Sequence, residues 1–183
     1  MRFYTGNIPS IFLLGFIWTS LLNCSGDAGD DSLSKITTTG RIIEVGEFMD
    51  TPFKTLKEYR TDGLPGAIAV IHGFLRRDSD AYDYEVRFYE SHDKAVELGI
   101  SFAEEGSGPN AVIRERDAVY KEGIKDRRVV TGALAGAIEG GSVGPKYGGY
   151  VIYENLILLC QGFEFEQSSE RCNLLTDILR TTD

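Results

Sequence analysis

Histidine is scarce in this chain: two in 183 residues. A histidine-built metal centre is thereby excluded unless carboxylates join in, because His72 and His92 are kept apart by a predicted strand and turn. Three cysteines are present, but no Cys-x-x-Cys, which removes the redox dithiol and zinc patterns of that spacing. Positive charge is short too. Lys and Arg number 19 against 28 Asp and Glu, a formal net charge of -9, which argues against nucleic acid as a partner. No apolar run is long enough to span a membrane. Ile11 to Leu22 is the main one, broken upstream by Thr5, Gly6, Asn7 and Pro9; as helix it reaches about 18 Å against a hydrocarbon core of roughly 30 Å.

Complete catalytic motifs are missing as well. Gly140-Gly141-Ser142-Val143-Gly144 reproduces the Gly-x-Ser-x-Gly string of a nucleophile elbow. The elbow needs a strand before it, a helix after it and a histidine downstream. Here a glycine ladder precedes, Pro145 follows, and both histidines lie upstream. Gly132-x-x-x-Gly136-x-x-x-Gly140 lacks the Lys-Ser/Thr ending of a phosphate loop. Asp27, Asp30 and Asp31 lack the alternation and pivot glycine of a calcium loop. No cofactor, metal site or catalytic residue is assigned.

What the sequence does carry is an address. Arg2 precedes the short apolar run, which ends in Leu21-Leu22-Asn23-Cys24-Ser25-Gly26. Leu at −3 and Cys at +1 resemble the lipobox of bacterial lipoprotein signals, with Asn23 standing where Gly, Ala or Ser is usual. The resemblance covers residues 1–24. It implies that 1–23 is a signal peptide and that the Cys24 sulfur takes a diacylglycerol. Acyl chains of the palmitate kind would then hold the protein on an envelope membrane outside the cytoplasm. Ordinary secretion, with cleavage after Gly26 or Ala28, is the alternative. Residues 24–35 then form the acylated cysteine and a flexible linker of Gly, Asp and Ser.

Residues 36–183 read as a single globular domain, with 42% hydrophobic and 26% charged residues in the whole chain. Ile36 to Phe48 suggests a strand. Thr51-Pro52 with Phe53, Leu56 and Tyr59 at helical spacing predicts a short helix stopped by Gly63. Ala67 to Leu75 is a strand, and Tyr82 to Glu90 alternates as a half-exposed antiparallel strand would, with Glu85 and Arg87 on its outer face. Ser91 caps a helix that ends at Gly106, and Asn110 opens another through Glu122. A Gly-rich insertion covers about 124–149, with a short helix near Val129 to Ile138. Tyr150–Tyr153 and Leu156–Cys160 flank Glu154-Asn155 as a hairpin, with Leu156–Leu159 buried on both faces. A last helix begins at Ser168 or Ser169. The expected architecture is α+β: an antiparallel sheet of about four to five strands, helices packed on one face, arranged as two ββα units.

Candidate functional residues follow from chemistry. With Cys24 lipidated, Cys160 and Cys172 are left as a disulfide pair in an oxidising compartment, the alternative being two buried thiols. His72 reads either as a half-buried imidazole or as a general base. With Tyr147 and Tyr150, which flank Gly148-Gly149, it makes a candidate ligand contact. The mixed charges between Arg114 and Arg128 read as a solvated helix face, or as a patch docking toward anionic lipid. The expected function is an envelope lipoprotein whose non-enzymatic domain binds a protein partner or small ligand. The alternatives are an assembly tether using the glycine ladder and a small hydrolase using His72.

Overall fold

A computed structural model of the chain describes residues 1–2, 35–131 and 142–181. The export segment, Cys24, most of the linker and the Gly132–Gly140 ladder fall outside those residues. From Asp31 onward the chain forms a compact unit of its own, and it is an α+β domain.

Its frame is a six-stranded sheet in the order β1 (Ile36–Thr37), β7 (Tyr147–Tyr153), β8 (Leu156–Gln161), β4 (Asp80–Tyr89), β3 (Ala67–Arg77) and β2 (Lys54–Tyr59). All neighbours are antiparallel except β1, which pairs parallel to β7. The strand count thus exceeds the expected four to five, and the sheet is mixed. A separate two-stranded ribbon joins β5 (Arg128–Thr131) to β6 (Ser142–Pro145).

Two tight hairpins organise the centre. Asp78-Ser79 links β3 to β4, and Glu154-Asn155 links β7 to β8; in each turn the first residue is left-handed, with φ 54 at Asp78 and 52 at Glu154. That strained backbone needs support, and Glu154 has it. Its carboxylate accepts from the Thr39 amide and from both Thr38 Oγ1 and Thr39 Oγ1 at 2.8–3.1 Å. Burial works against ionisation there, but these hydrogen bonds outweigh it and hold the Glu154 carboxyl below its ordinary range. Asn155 is wholly buried and ties three backbones together, accepting from Ile43 N–H and donating to the carbonyls of Ile43 and Tyr89.

Helices cover both faces of the sheet, not one. On the first, Val86, Phe88, Leu156, Leu158 and Cys160 pack against Cys172, Leu175 and Leu179 of α4 (Phe165–Thr181), with Phe48 of α1 (Val45–Met49) at the edge. On the second, Tyr89, Ile152, Ile157 and Leu159 pack under a continuous helical segment. That segment comprises α2 (His92–Lys94), a π-helical turn at Ala95–Gly99 and α3 (Ile100–Gly106). Ser91 caps it as expected, accepting from Lys94 N–H. The two-sided burial of Leu156–Leu159 requires this second layer. It also rules out a symmetric pair of ββα units: a two-fold axis exchanging antiparallel β4 and β8 would leave both helices on one face.

Several local expectations are corrected. Residues 36–48 give only the two-residue β1 and the short α1. Residues 54–59 are an edge strand, not a helix. Leu56 is the extra residue of a bulge between Thr55 and Lys57, and it shifts the alternation into apparent helical spacing. Residues 110–122 contain no helix and run as a loop, while Arg128–Thr131 is strand. The insertion is also narrower than 124–149, because Tyr147–Gly149 belongs to the central sheet. Cys160 and Cys172 form the expected disulfide, with Cα atoms 5.6 Å apart, tying β8 to α4.

Candidate functional site

The second face of the sheet carries two neighbouring features: an open cleft and a buried polar layer.

The cleft, of about 550 Å³, lies where α3 runs into its following loop beside β7; Lys35, Glu104, Asn110, Gly148, Tyr150 and Phe165 are among its walls. Glycines make the approach possible. A Cβ on Gly148 would stand 2.6 Å from the Glu164 carbonyl, and one on Gly149 2.6 Å from the Phe165 ring. Only without them can the start of α4 settle against β7. Tyr150 is the floor. Lys35 Nζ sits 4.2 Å over its ring centre, a cation–π contact. Its hydroxyl is 3.5 Å from Glu104 Oε1. The ring thus has an ammonium over its face and a carboxylate near its hydroxyl, both on exposed side chains.

The buried layer lies beneath residues 107–127. Alternation along β4 turns Glu85 and Arg87 toward this loop, and both are completely buried, not half-exposed as the pattern suggested. Arg127 comes down from the loop. Its Nε donates to Glu85 Oε2 at 2.7 Å and its Nη2 to Oε1 at 3.1 Å, while Nη1 and Nη2 also reach the carbonyls of Tyr120 and Glu122. Arg87 Nε donates to Glu85 Oε1 at 2.8 Å. Burial favours the neutral acid, yet the two guanidiniums outweigh it and keep the Glu85 pKa below its usual value. At the rim, Asp126 accepts from Lys57 Nζ and Tyr59 Oη, and Glu105 accepts from the amides of Val119 and Tyr120. The expected solvated helix between Arg114 and Arg128 is therefore a loop leading into β5, and its Arg127 is an internal anchor.

The proposed ligand contacts separate. Tyr150 lines the cleft. Tyr147 shares its sheet face, but it is fully buried beside Glu85 and Asp83, and its hydroxyl has no partner among the described residues. His72 is 4% exposed, stacked on Tyr59 with ring centres 6.0 Å apart. Neither of its ring nitrogens makes a hydrogen bond among the described residues, so the geometry gives a general base no substrate to reach. His92 is elsewhere, its Nδ1 2.7 Å from the Glu154 carbonyl. Ser142 opens β6 opposite Thr131, not a strand-to-helix elbow. Among the described residues no group of His, Cys, Asp and Glu is arranged to hold a metal ion.

His72 supplies a pH prediction. Burial, partly offset by Asp126, Asp83 and Glu85, holds its pKa below the ordinary value, and Lys146 acts in the same direction as burial. In the unfolded chain the ring titrates near ~6.5. Below that pH the unfolded state takes up a proton that the native state resists. The stability contribution is therefore complete above ~6.5 and is lost as pH falls from there toward the native pKa. Urea unfolding between about pH 7.5 and pH 5 will show a smaller loss for His72→Gln than for the parent chain; equal losses would assign the acid sensitivity elsewhere.

The fold is an α+β domain with an open cleft at the side of a mixed sheet. The chain belongs to DUF6810, a family of unknown function, which matches residues 44–181 and so spans the polar layer and all of the cleft except Lys35. No curated protein and no solved structure matches it.

Proposed function

We propose that the chain is an envelope lipoprotein, fixed to a membrane through Cys24, whose domain binds a small dipolar ligand over Tyr150. The observation that carries the binding reading is the cleft itself. An aromatic floor with Lys35 over its face and Glu104 near its hydroxyl suits a ligand with an anionic end, a cationic end and a flat or apolar body, as in an amino acid or short peptide. Exposed Glu104 and Lys35 keep their charges solvated in the free protein, so pairing with ligand carries a modest desolvation cost. The disulfide between Cys160 and Cys172 supports export, because such bonds persist in oxidising compartments. The enclosed His72 ring lends a hydrolase reading no support.

The test is calorimetry and thermal shift with a panel of free amino acids and dipeptides. At least one member is expected to bind, and Tyr150→Ala will weaken it at least tenfold at a temperature where its own melting curve shows the variant folded, a control needed because Tyr150 is 5% exposed and packs into the core of this face. A panel without a binder, or a binder indifferent to Tyr150→Ala, overturns the assignment. Intact mass of the membrane-extracted protein tests the anchor separately: acyl mass on a chain beginning at Cys24 is expected, and an unmodified chain cleaved after Gly26 or Ala28 would show secretion instead.

A further inference from the structure

We propose that the cleft takes a short free peptide as an added strand on the open edge of β7, parallel to β7 and with its terminal carboxylate at Lys35. The inference rests on the reading of the cleft as the ligand site, and it names the class of ligand and its direction. One edge of β7 is paired along its length with β8. The other meets only β1, from Ile36 onward. Across it Ile152 N–H donates to the Lys35 carbonyl at 2.7 Å and Glu154 N–H to the Thr37 carbonyl at 2.9 Å. Backbone groups alternate along a strand, so those of Tyr150, two residues before Ile152, point to this same edge. The chain bends at Lys35, and among the described residues nothing continues the ladder beside Tyr150.

The gap has a second boundary. Gly108 N–H donates to the Tyr147 carbonyl at 2.9 Å, so the loop after α3 caps the edge there. Between the two caps the edge runs from Gly148 to Tyr150, about 10 Å of extended chain, and these residues line the cleft. Gly148 falls in the irregularity between Tyr147 and Gly149 and is not paired with β8. Its carbonyl stands 3.9 Å from the place of a Cβ on Gly108, which also lines the cleft. One residue of a parallel strand can bond both neighbours, its N–H to the Gly148 carbonyl and its own carbonyl to Tyr150 N–H. Gly148–Tyr150 are buried overall, and main-chain groups withdrawn from solvent need such partners.

Charge sets the direction. A parallel peptide ends at the Lys35 side of the gap, where its carboxylate accepts from Tyr150 N–H and meets the Lys35 ammonium, which now rests 4.2 Å over the Tyr150 ring. An antiparallel peptide would bring its own ammonium to the same place and be repelled. Glu104, 3.5 Å from the Tyr150 hydroxyl, is left for a basic side chain or the peptide's amino end. The caps at Gly108 and Lys35 also set the length. An internal segment of a protein has to leave the slot at both ends, whereas a free di- or tripeptide fits between them.

The experiment is calorimetric titration of the protein with lysyl-alanyl-alanine, its C-terminal amide, its analogue N-methylated at the last peptide bond, and free alanine. The tripeptide should bind about tenfold or more tighter than each of the other three. Lys35→Ala, a change at an exposed side chain, should weaken the tripeptide about tenfold and leave its amide nearly unchanged. An N-methylated analogue as tight as the tripeptide, or free alanine as tight, overturns strand addition and leaves the cleft reading standing. An amide as tight as the acid, or a tripeptide indifferent to Lys35→Ala, overturns the proposed direction and with it the proposal. A protein that binds free amino acids but not the tripeptide likewise overturns this inference alone; one that binds neither overturns the cleft reading too.

Discussion

Glu85→Ala will leave the domain largely unfolded at 25 °C. The substitution strands Arg87 and Arg127, which are 0% and 1% exposed, with no carboxylate between them. Removing one partner of a buried ion pair costs about 3–5 kcal/mol, and here one carboxylate serves two guanidiniums. A domain of this size has only about 5–15 kcal/mol of total stability. The loss should appear as collapse of the near-ultraviolet signal and a urea midpoint near zero. The partner experiment separates the pair from the packing. Arg127→Ala alone should also be severely destabilising, yet the double variant Glu85→Ala/Arg127→Ala should be less destabilised than the two single losses added together, because it removes one stranded charge along with its counter-ion. Strict additivity would mean that the two side chains do not act as a unit. What the triad provides is specification more than net stability: Arg127 fastens the irregular 107–127 segment to β4 through Glu85 and holds Tyr120 and Glu122 by their carbonyls.

The same triad shows where sequence reasoning succeeds and where it stops. The period-two pattern of Tyr82–Tyr89 identified β4 and sorted its faces correctly, because alternation is a local property of the strand. It then assigned Glu85 and Arg87 to solvent, because charge normally marks the outside. The cover that buries them comes from Arg127, 42 residues away, and a loop held by side-chain-to-backbone hydrogen bonds leaves no periodicity to read. The unbroken Leu156–Leu159 run did hold a usable signal. Two-sided burial of a central strand demands a layer on each face, which contradicts helices on one face alone. The edge strands were lost for opposite reasons: β2 because a bulge at Leu56 imitates helical spacing, β1 because a two-residue parallel bridge is too short to carry any pattern. In the cleft, Tyr150 beside Gly148-Gly149 was legible as a candidate ligand contact, although the glycines themselves were assigned to the insertion and not to β7. Lys35 and Glu104 were not, since only the fold brings the start of the domain and the end of α3 to the same ring.

Replacing both Cys160 and Cys172 with alanine will lower stability by about 3 kcal/mol, the chain-entropy value for a closed loop this short, and so lower Tm by about 9 °C. The native structure should survive, because α4 is held to the sheet by more than sulfur. Ser168 Oγ donates to the Cys160 carbonyl at 2.8 Å, Arg171 Nη1 to the Gln161 carbonyl at 2.9 Å, and Tyr84 Oη to the Arg171 carbonyl at 2.8 Å. Leu175 and Leu179 remain buried under β7 and β8. Most of the effect therefore lies in the unfolded chain, which the crosslink no longer restricts. Two observations follow and distinguish this account from one in which the bridge clamps the native fold. First, the circular dichroism spectrum of the folded double variant should match that of the parent while its Tm falls. Second, both cysteines being wholly buried, thiol reagents should reduce the parent only as fast as it unfolds, so the reduction rate should rise with urea along the unfolding limb. Reduction that is fast and independent of urea would place the bridge within reach of solvent and sink this account of its role.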